Sequence, residues 1–116
     1  MKQLEYQLQK AVVKWLGYKY PGLLYCASAG GVRTSMTQAK KMKATGYKKG
    51  FPDLFIYEPN KKYNGLALEL KVKGNYPSKH QKEWLINLEK RGYYAKCVKG
   101  FDETIEIINK YTNNEL

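Results

Sequence analysis

The segment Leu66-Ala67-Leu68-Glu69-Leu70-Lys71-Val72 constrains this chain more than any other part of it. In an extended strand successive side chains point to opposite faces, so Leu66, Leu68, Leu70 and Val72 share one side while Ala67, Glu69, Lys71 and Lys73 share the other. A strand predicted over residues 63–72 therefore carries an aliphatic face and, on its back, a carboxylate and an ammonium about 7 Å apart. A second apolar run, residues 53–57, precedes it across the polar turn Glu58-Pro59-Asn60-Lys61-Lys62. So short a connection predicts an antiparallel hairpin, which sets Asp53 at the start of one strand beside the end of the other.

The remaining elements fall around this pair. Leu4, Leu8, Ala11, Val12, Trp15 and Leu16 recur at three- and four-residue intervals and predict a helix over 3–19, stopped by Gly17 and Pro21. At about 100° per residue Glu5 projects between Val12 and Leu16, on the apolar flank and away from Lys10 and Lys14. Residues 23–27 read as a short strand, followed by the small-residue loop Ser28-Ala29-Gly30-Gly31 and a short basic helix over 37–44 that Gly46 closes. Ser78-Lys79-His80-Gln81 has the capping-box pattern that opens a helix, with Gln81, Trp84, Leu85 and Leu88 inward and Gly92 at its end. A fourth strand over 93–98 and a final short helix through Ile105, Ile107, Ile108 and Tyr111 complete the order: helix, three strands, helix, strand, helix. That order predicts a small α/β domain with one mixed, four-stranded sheet, its fourth strand reached by a crossover helix. At 116 residues the chain is expected to form one domain, residues 1–116, with no repeat or linker.

Charge narrows the partner. Twenty-one Lys and Arg against ten Asp and Glu leave a formal net charge of +11, which favours an anionic partner such as nucleic acid or an acidic membrane surface. Between Tyr6 and Pro52 there is no acid at all, whereas Lys10, Lys14, Lys19, Arg33, Lys40, Lys41, Lys43, Lys48 and Lys49 all lie there. A membrane-surface role is disfavoured because no long helix pairs a basic face with an exposed apolar one. No apolar stretch approaches the roughly 20 residues that cross a bilayer, and no secretory h-region opens the chain, so an intracellular, cytoplasmic protein is expected. Cys26 and Cys97 each sit in an apolar run, which reads as two small buried residues and not a bridge. With one histidine and two distant cysteines, no zinc site has ligand spacing. His80, in the first turn of a helix, is expected to face solvent. The Gly30-Gly31 loop matches no phosphate-binding fingerprint, and most of the eleven tyrosines fit core edges or strand surfaces.

Asp53 and Glu69 then form an acid pair with Lys71 in reach. Two carboxylates held together repel, and a hard divalent cation such as Mg²⁺, which takes oxygen ligands and keeps waters, compensates them. Such an ion acidifies a bound water and neutralises a phosphoryl oxygen, while Lys71 orients that water or stabilises the developing charge.

Pro52-Asp53 followed by Glu69-Leu70-Lys71 resembles the signature of the PD-(D/E)XK nuclease superfamily. The surroundings, Gly46-Tyr47-Lys48-Lys49-Gly50-Phe51-Pro52-Asp53-Leu54 and Ser78-Lys79-His80-Gln81, resemble its VRR-NUC branch, with the likeness running from Glu5 to about Val98. The resemblance implies a restriction-endonuclease-like core and a Mg²⁺- or Mn²⁺-dependent phosphodiesterase. In it Asp53, Glu69 and the Leu70 carbonyl bind metal and Lys71 handles the water. Glu5 matches an acid this superfamily supplies from its first helix, and Gln81 matches a glutamine of this branch, which implies a hydrogen bond that orders the catalytic group or a metal ligand. No domain besides this one is expected, and short, free-standing members are similar to phage enzymes of the Holliday-junction resolvase type, which act as homodimers. DNA would then be held by backbone shape and charge, through Arg33, Lys40, Lys41, Lys43, Lys48 and Lys49. The rival reading is a catalytically silent nucleic-acid-binding module on the same fold.

Overall fold

The computed structural model describes residues 2–28 and 35–116. Its elements are α1 (Lys2–Lys19), β1 (Tyr25–Ala27), α2 (Met36–Ala44), β2 (Leu54–Ile56), β3 (Leu66–Lys71), α3 (Lys79–Glu89), β4 (Tyr94–Lys99) and α4 (Gly100–Thr112). One sheet has the order β1-β2-β3-β4. The β2–β3 pair is antiparallel and β3–β4 is parallel across the α3 crossover, as the element order predicts, and β1 pairs antiparallel with β2. The strands are shorter than their apolar runs, because pairing needs a neighbour along the whole length and β1 and β2 meet over three residues only. The last helix is longer than expected. Asp102 and Glu103 occupy its first turn, where the helix dipole favours acids, and Glu103 Oε2 accepts from the Lys99 N–H at 2.9 Å.

The alternation in β3 sorts the core into two layers. Leu66, Leu68 and Leu70 pack with Leu8, Val12 and Leu16 of α1 and with Ile107, Ile108 and Tyr111 of α4. Ala67, on the other face, packs with Phe55, Leu85, Leu88 and Ala95 under α3. Burying each large aliphatic side chain contributes about 1.5–3 kcal/mol, so the leucine face of β3 holds α1 and α4 in place. Leu4 and Ala11, assigned to the α1 stripe, are exposed instead, because the buried face is the narrower row Leu8, Val12 and Leu16. Cys26 is also exposed, contrary to expectation: it pairs with Phe55 on the face that α3 covers, but α3 lies over β3 and β4 and does not reach the edge strand. Cys97 is half-buried, and both thiols are free.

The topology gathers four chain positions at one end of the sheet. Ala27 ends β1, Leu54 begins β2, and Lys71 and Lys99 end β3 and β4 as register partners. The first turns of α3 and α4 follow directly, and α1 starts there too. α2 bridges β1 and β2 at the same end; none of its residues is buried. Among the described residues no helix is long and apolar enough to cross a membrane.

Candidate active site

Asp53 stands immediately before β2, where its Oδ2 accepts the Leu70 N–H at 2.8 Å. That bond pins the carboxylate across the end of the hairpin, beside Glu69. Glu69 is only 2% exposed although it carries a carboxylate, and its Oε1 has no hydrogen-bond partner. Lys71 reaches back to it, with Nζ 3.8 Å from Glu69 Oε2 and 3.7 Å from Glu5 Oε1. The first helix, both hairpin strands and one ammonium thus meet at a single point. Glu5 reaches it because its azimuth on α1 lies between those of Val12 and Leu16, which are fully buried against the sheet.

The electrostatics follow from burial. Desolvation pushes Glu69 up to about 9, and the neighbouring Asp53 charge pushes in the same direction; Lys71 only partly opposes them. Asp53 is also raised, mainly by burial, against the hydrogen bonds it makes with Glu69 and the Leu70 N–H and the attraction of Lys71. One buried and one half-buried acid therefore compete for charge that one lysine cannot fully supply. The site fits a cation, since an orphaned buried carboxylate oxygen is the kind of group that persists only when another ligand satisfies it. Among the described residues, no group of three or more His, Cys, Asp and Glu side chains could hold a metal by itself. A cation here would draw on two carboxylates, backbone oxygen and water, a donor set that suits Mg²⁺ and not zinc.

Asn75 belongs to this cluster, and sequence reasoning missed it. Its Nδ2 donates to Glu5 Oε2 at 3.0 Å. The turn that delivers it closes with Asn75 N–H to Val72 C=O at 3.1 Å and puts Gly74 at φ +95°, a conformation suited to glycine. Gly74-Asn75 was a readable turn signal, but nothing in it named Glu5 as the partner. Cys97 pairs in register with Glu69; burial, and then that carboxylate, push its thiol upward, so it is no reactive nucleophile.

Gln81 closes the expected capping box. Its Oε1 accepts from the Ser78 N–H at 2.8 Å and its own N–H donates to Ser78 Oγ at 3.2 Å. Among the described residues no hydrogen bond joins it to Asp53, Glu69 or Lys71. Lys40, Lys41 and Lys43 are exposed on α2, and Lys48 and Lys49 are exposed on the turn before β2. That turn is fixed against α3: Trp84 Nε1 donates to Lys49 C=O at 3.1 Å, and a Cβ on Gly50, at φ +91°, would meet the His80 backbone at 2.7 Å. Arg33 and the Gly30-Gly31 loop lie outside the described residues. His80 is solvent-facing as expected, 57% exposed, with Nδ1 3.9 Å from Glu83.

A mixed four-stranded sheet flanked by helices, with an aspartate opening one hairpin strand and Glu-x-Lys closing the next, has the layout of a PD-(D/E)XK nuclease. Comparison with known proteins agrees. The model of the VRR-NUC domain family matches residues 3–102. A solved structure titled VRR_NUC domain protein is similar with a TM-score of 0.78 and 32% identity, covering 94% of this chain and 88% of that one. No curated protein matches the chain. The chain belongs to the VRR-NUC domain family, within the PD-(D/E)XK nuclease superfamily.

Proposed function

We propose that this protein is a divalent-metal-dependent DNA endonuclease selective for branched DNA such as Holliday junctions. The observation that carries the metal dependence is Glu69: a carboxylate 2% exposed, with one oxygen unpartnered, set beside the half-buried carboxylate of Asp53. Asp53 and Glu69 would hold Mg²⁺ or Mn²⁺. The Leu70 carbonyl would join them, since in a strand the N–H and C=O of one residue face the same neighbour and the Leu70 N–H faces Asp53. When bound, the ion supplies an acidified water and neutralises phosphoryl charge. Lys71 orients the attacking water and offsets charge on the phosphorane. Glu5, tied to Asn75, holds the Lys71 ammonium at the reacting centre. Gln81 stiffens the first turn of α3 and keeps its side-chain amide N–H₂ for the catalytic group.

Binding rests on charge. Lys40, Lys41, Lys43, Lys48 and Lys49 flank the same end of the sheet as the acids, as do the positive N-terminal ends of α1, α3 and α4, and Arg33, outside the described residues, would add to the same phosphate contacts. Contacts of this kind grip phosphates without reading bases, which suits recognition of DNA shape. We read the chain as one nuclease domain that works as a homodimer, presenting two sites to two symmetric strands.

The deciding experiment is cleavage of labelled four-way junction, flap, duplex and single-stranded DNA with Mg²⁺ or Mn²⁺, beside EDTA and Asp53→Ala controls. Metal-dependent cutting, best on the junction and lost in the mutant, is expected. Tight, salt-sensitive binding without cutting under either metal would instead make this a silent binding module.

A further inference from the structure

Four tyrosines are largely exposed: Tyr6, Tyr18, Tyr57 and Tyr76. Single exposed aromatics are ordinary on protein surfaces, so exposure alone argues nothing. Tyr76 differs in its place and its support. It lies in the connection from β3 to α3, next to Asn75, whose side chain is bonded to Glu5 of the acid cluster. The connection is fixed on both sides of the tyrosine, by the Val72–Asn75 turn before it and by the Ser78–Gln81 capping box after it. Beneath the ring, Lys99 Nζ sits 3.5 Å from the centroid. Lys99 is the register partner of Lys71 on the neighbouring strand, so this ring–ammonium pair flanks the carboxylates directly. Yet the tyrosine remains 73% exposed. Tyr57, by contrast, stacks on Phe55 at the far end of β2, Tyr18 lies at the far end of α1, and Tyr6 has no ring or cation contact among the described residues.

We propose that Tyr76, backed by Lys99, is a stacking platform for a nucleobase left unstacked at a DNA branch point, next to the phosphate that Asp53 and Glu69 address. A continuous duplex keeps its bases stacked and offers no free face to such a ring, whereas a branch point, with its bases paired or not, exposes one at little cost. Discrimination between branched and continuous DNA then comes from one pre-ordered aromatic, and the lysines supply affinity to both. The ammonium serves twice, polarising the ring and standing within the field of the adjoining phosphates.

The inference rests on the nuclease reading, but its test need not. A forked DNA with 2-aminopurine as the first unpaired base, and a continuous duplex, are titrated in EDTA against wild type, Tyr76→Phe, Tyr76→Leu and Tyr76→Ala. Stacking quenches 2-aminopurine, and anisotropy reads affinity for both DNAs. Wild type and Tyr76→Phe should quench. Tyr76→Leu and Tyr76→Ala should not, and should bind the fork about 5- to 150-fold more weakly, the range set by base–aromatic stacking, with duplex affinity changed less than about twofold. Equal loss on fork and duplex, quenching that survives Tyr76→Ala, or no binding to the fork by wild type overturns the proposal. Failure to cut any DNA with either metal would sink the nuclease reading while leaving the fluorescence result to stand by itself.

Discussion

The two ends of the sheet treat their polar groups in opposite ways. At the end away from the acids, among the described residues, the polar side chains around the β2–β3 turn are paired. Tyr111 donates to the Glu58 carbonyl at 2.7 Å, Asn60 donates to the Tyr111 carbonyl at 3.1 Å, and Asn60 Oδ1 accepts from the N–H groups of Lys62 and Tyr63 at 2.9 and 2.7 Å. Lys61 N–H finds Asn114 Oδ1 at 2.7 Å, and Tyr20 is hydrogen-bonded to Asn109. At the other end Glu69 keeps a buried oxygen with nothing to accept from, and two acids are held where burial opposes their charge. The first arrangement ties the β2–β3 turn to α4, and α4 to the segment that follows α1, and contributes stability. The second costs stability and is retained for what it can bind.

The sharpest break between the ends should appear in cleavage. Asp53→Ala and Glu69→Gln are expected to lower the rate by roughly 10²–10³-fold or more, on the scale of removing a group that acts on developing charge, while DNA affinity holds or rises. Asn60→Ala should leave the cleavage rate within about twofold. If Asn60→Ala abolished cutting in a folded protein, the division of labour between the ends would be wrong.

Stability should sort the other way. Asn60→Ala removes three hydrogen bonds around a turn and is expected to cost about 2–3 kcal/mol in denaturant unfolding. Glu69→Gln in metal-free buffer near neutral pH should cost little, since burial already holds the Glu69 carboxyl protonated and the amide is a neutral group of nearly the same shape. A Glu69→Gln loss as large as that of Asn60→Ala would mean that the acid end is structural after all.

The pH dependence carries the same contrast. Glu69 is held above its ordinary value of 4.5, up to about 9, so the folded protein keeps a proton that the unfolded chain releases. Its favourable contribution is therefore complete below about pH 4.5 and is lost as pH rises toward 9; Asp53, also raised, acts in the same direction. Thermal unfolding in EDTA should show stability falling across that window, by at most about 1.4 kcal/mol per pH unit for one proton. Glu69→Gln should flatten the fall, and Mg²⁺ should stabilise more as pH rises, because the ion needs the ionised carboxylates. The smallest expected effect is Asn75→Ala, which frees Glu5 without touching the acid pair: a loss of cleavage of about three- to tenfold, with affinity and melting temperature close to wild type. Single-turnover rates would check it, and an unchanged rate would reduce Asn75 to a loop contact.

Much of this was readable in the chain itself. Period-two alternation in residues 66–72 fixed which side chains of β3 face the core and which face the acids, because a strand cannot present neighbouring residues to one side. The helical azimuth of Glu5, the Ser78–Gln81 cap and the Pro52-Asp53 and Glu69-Leu70-Lys71 motif were equally local. What depends on how far a neighbouring element reaches was not readable. Cys26 is exposed because α3 stops short of the edge strand, and Leu4 and Ala11 are exposed because the buried row of α1 is narrow. Asn75 meets Glu5 across 70 positions in sequence, and Tyr76 meets Lys99 across a sheet end that only the folded chain assembles. Sequence by itself determined which residues could do chemistry and which face of their own element they occupy, since those follow from backbone geometry within a few residues. Only tertiary structure decided which of them meet, and which buried oxygen goes unsatisfied, because partners distant in the chain become neighbours only when helices and strands pack.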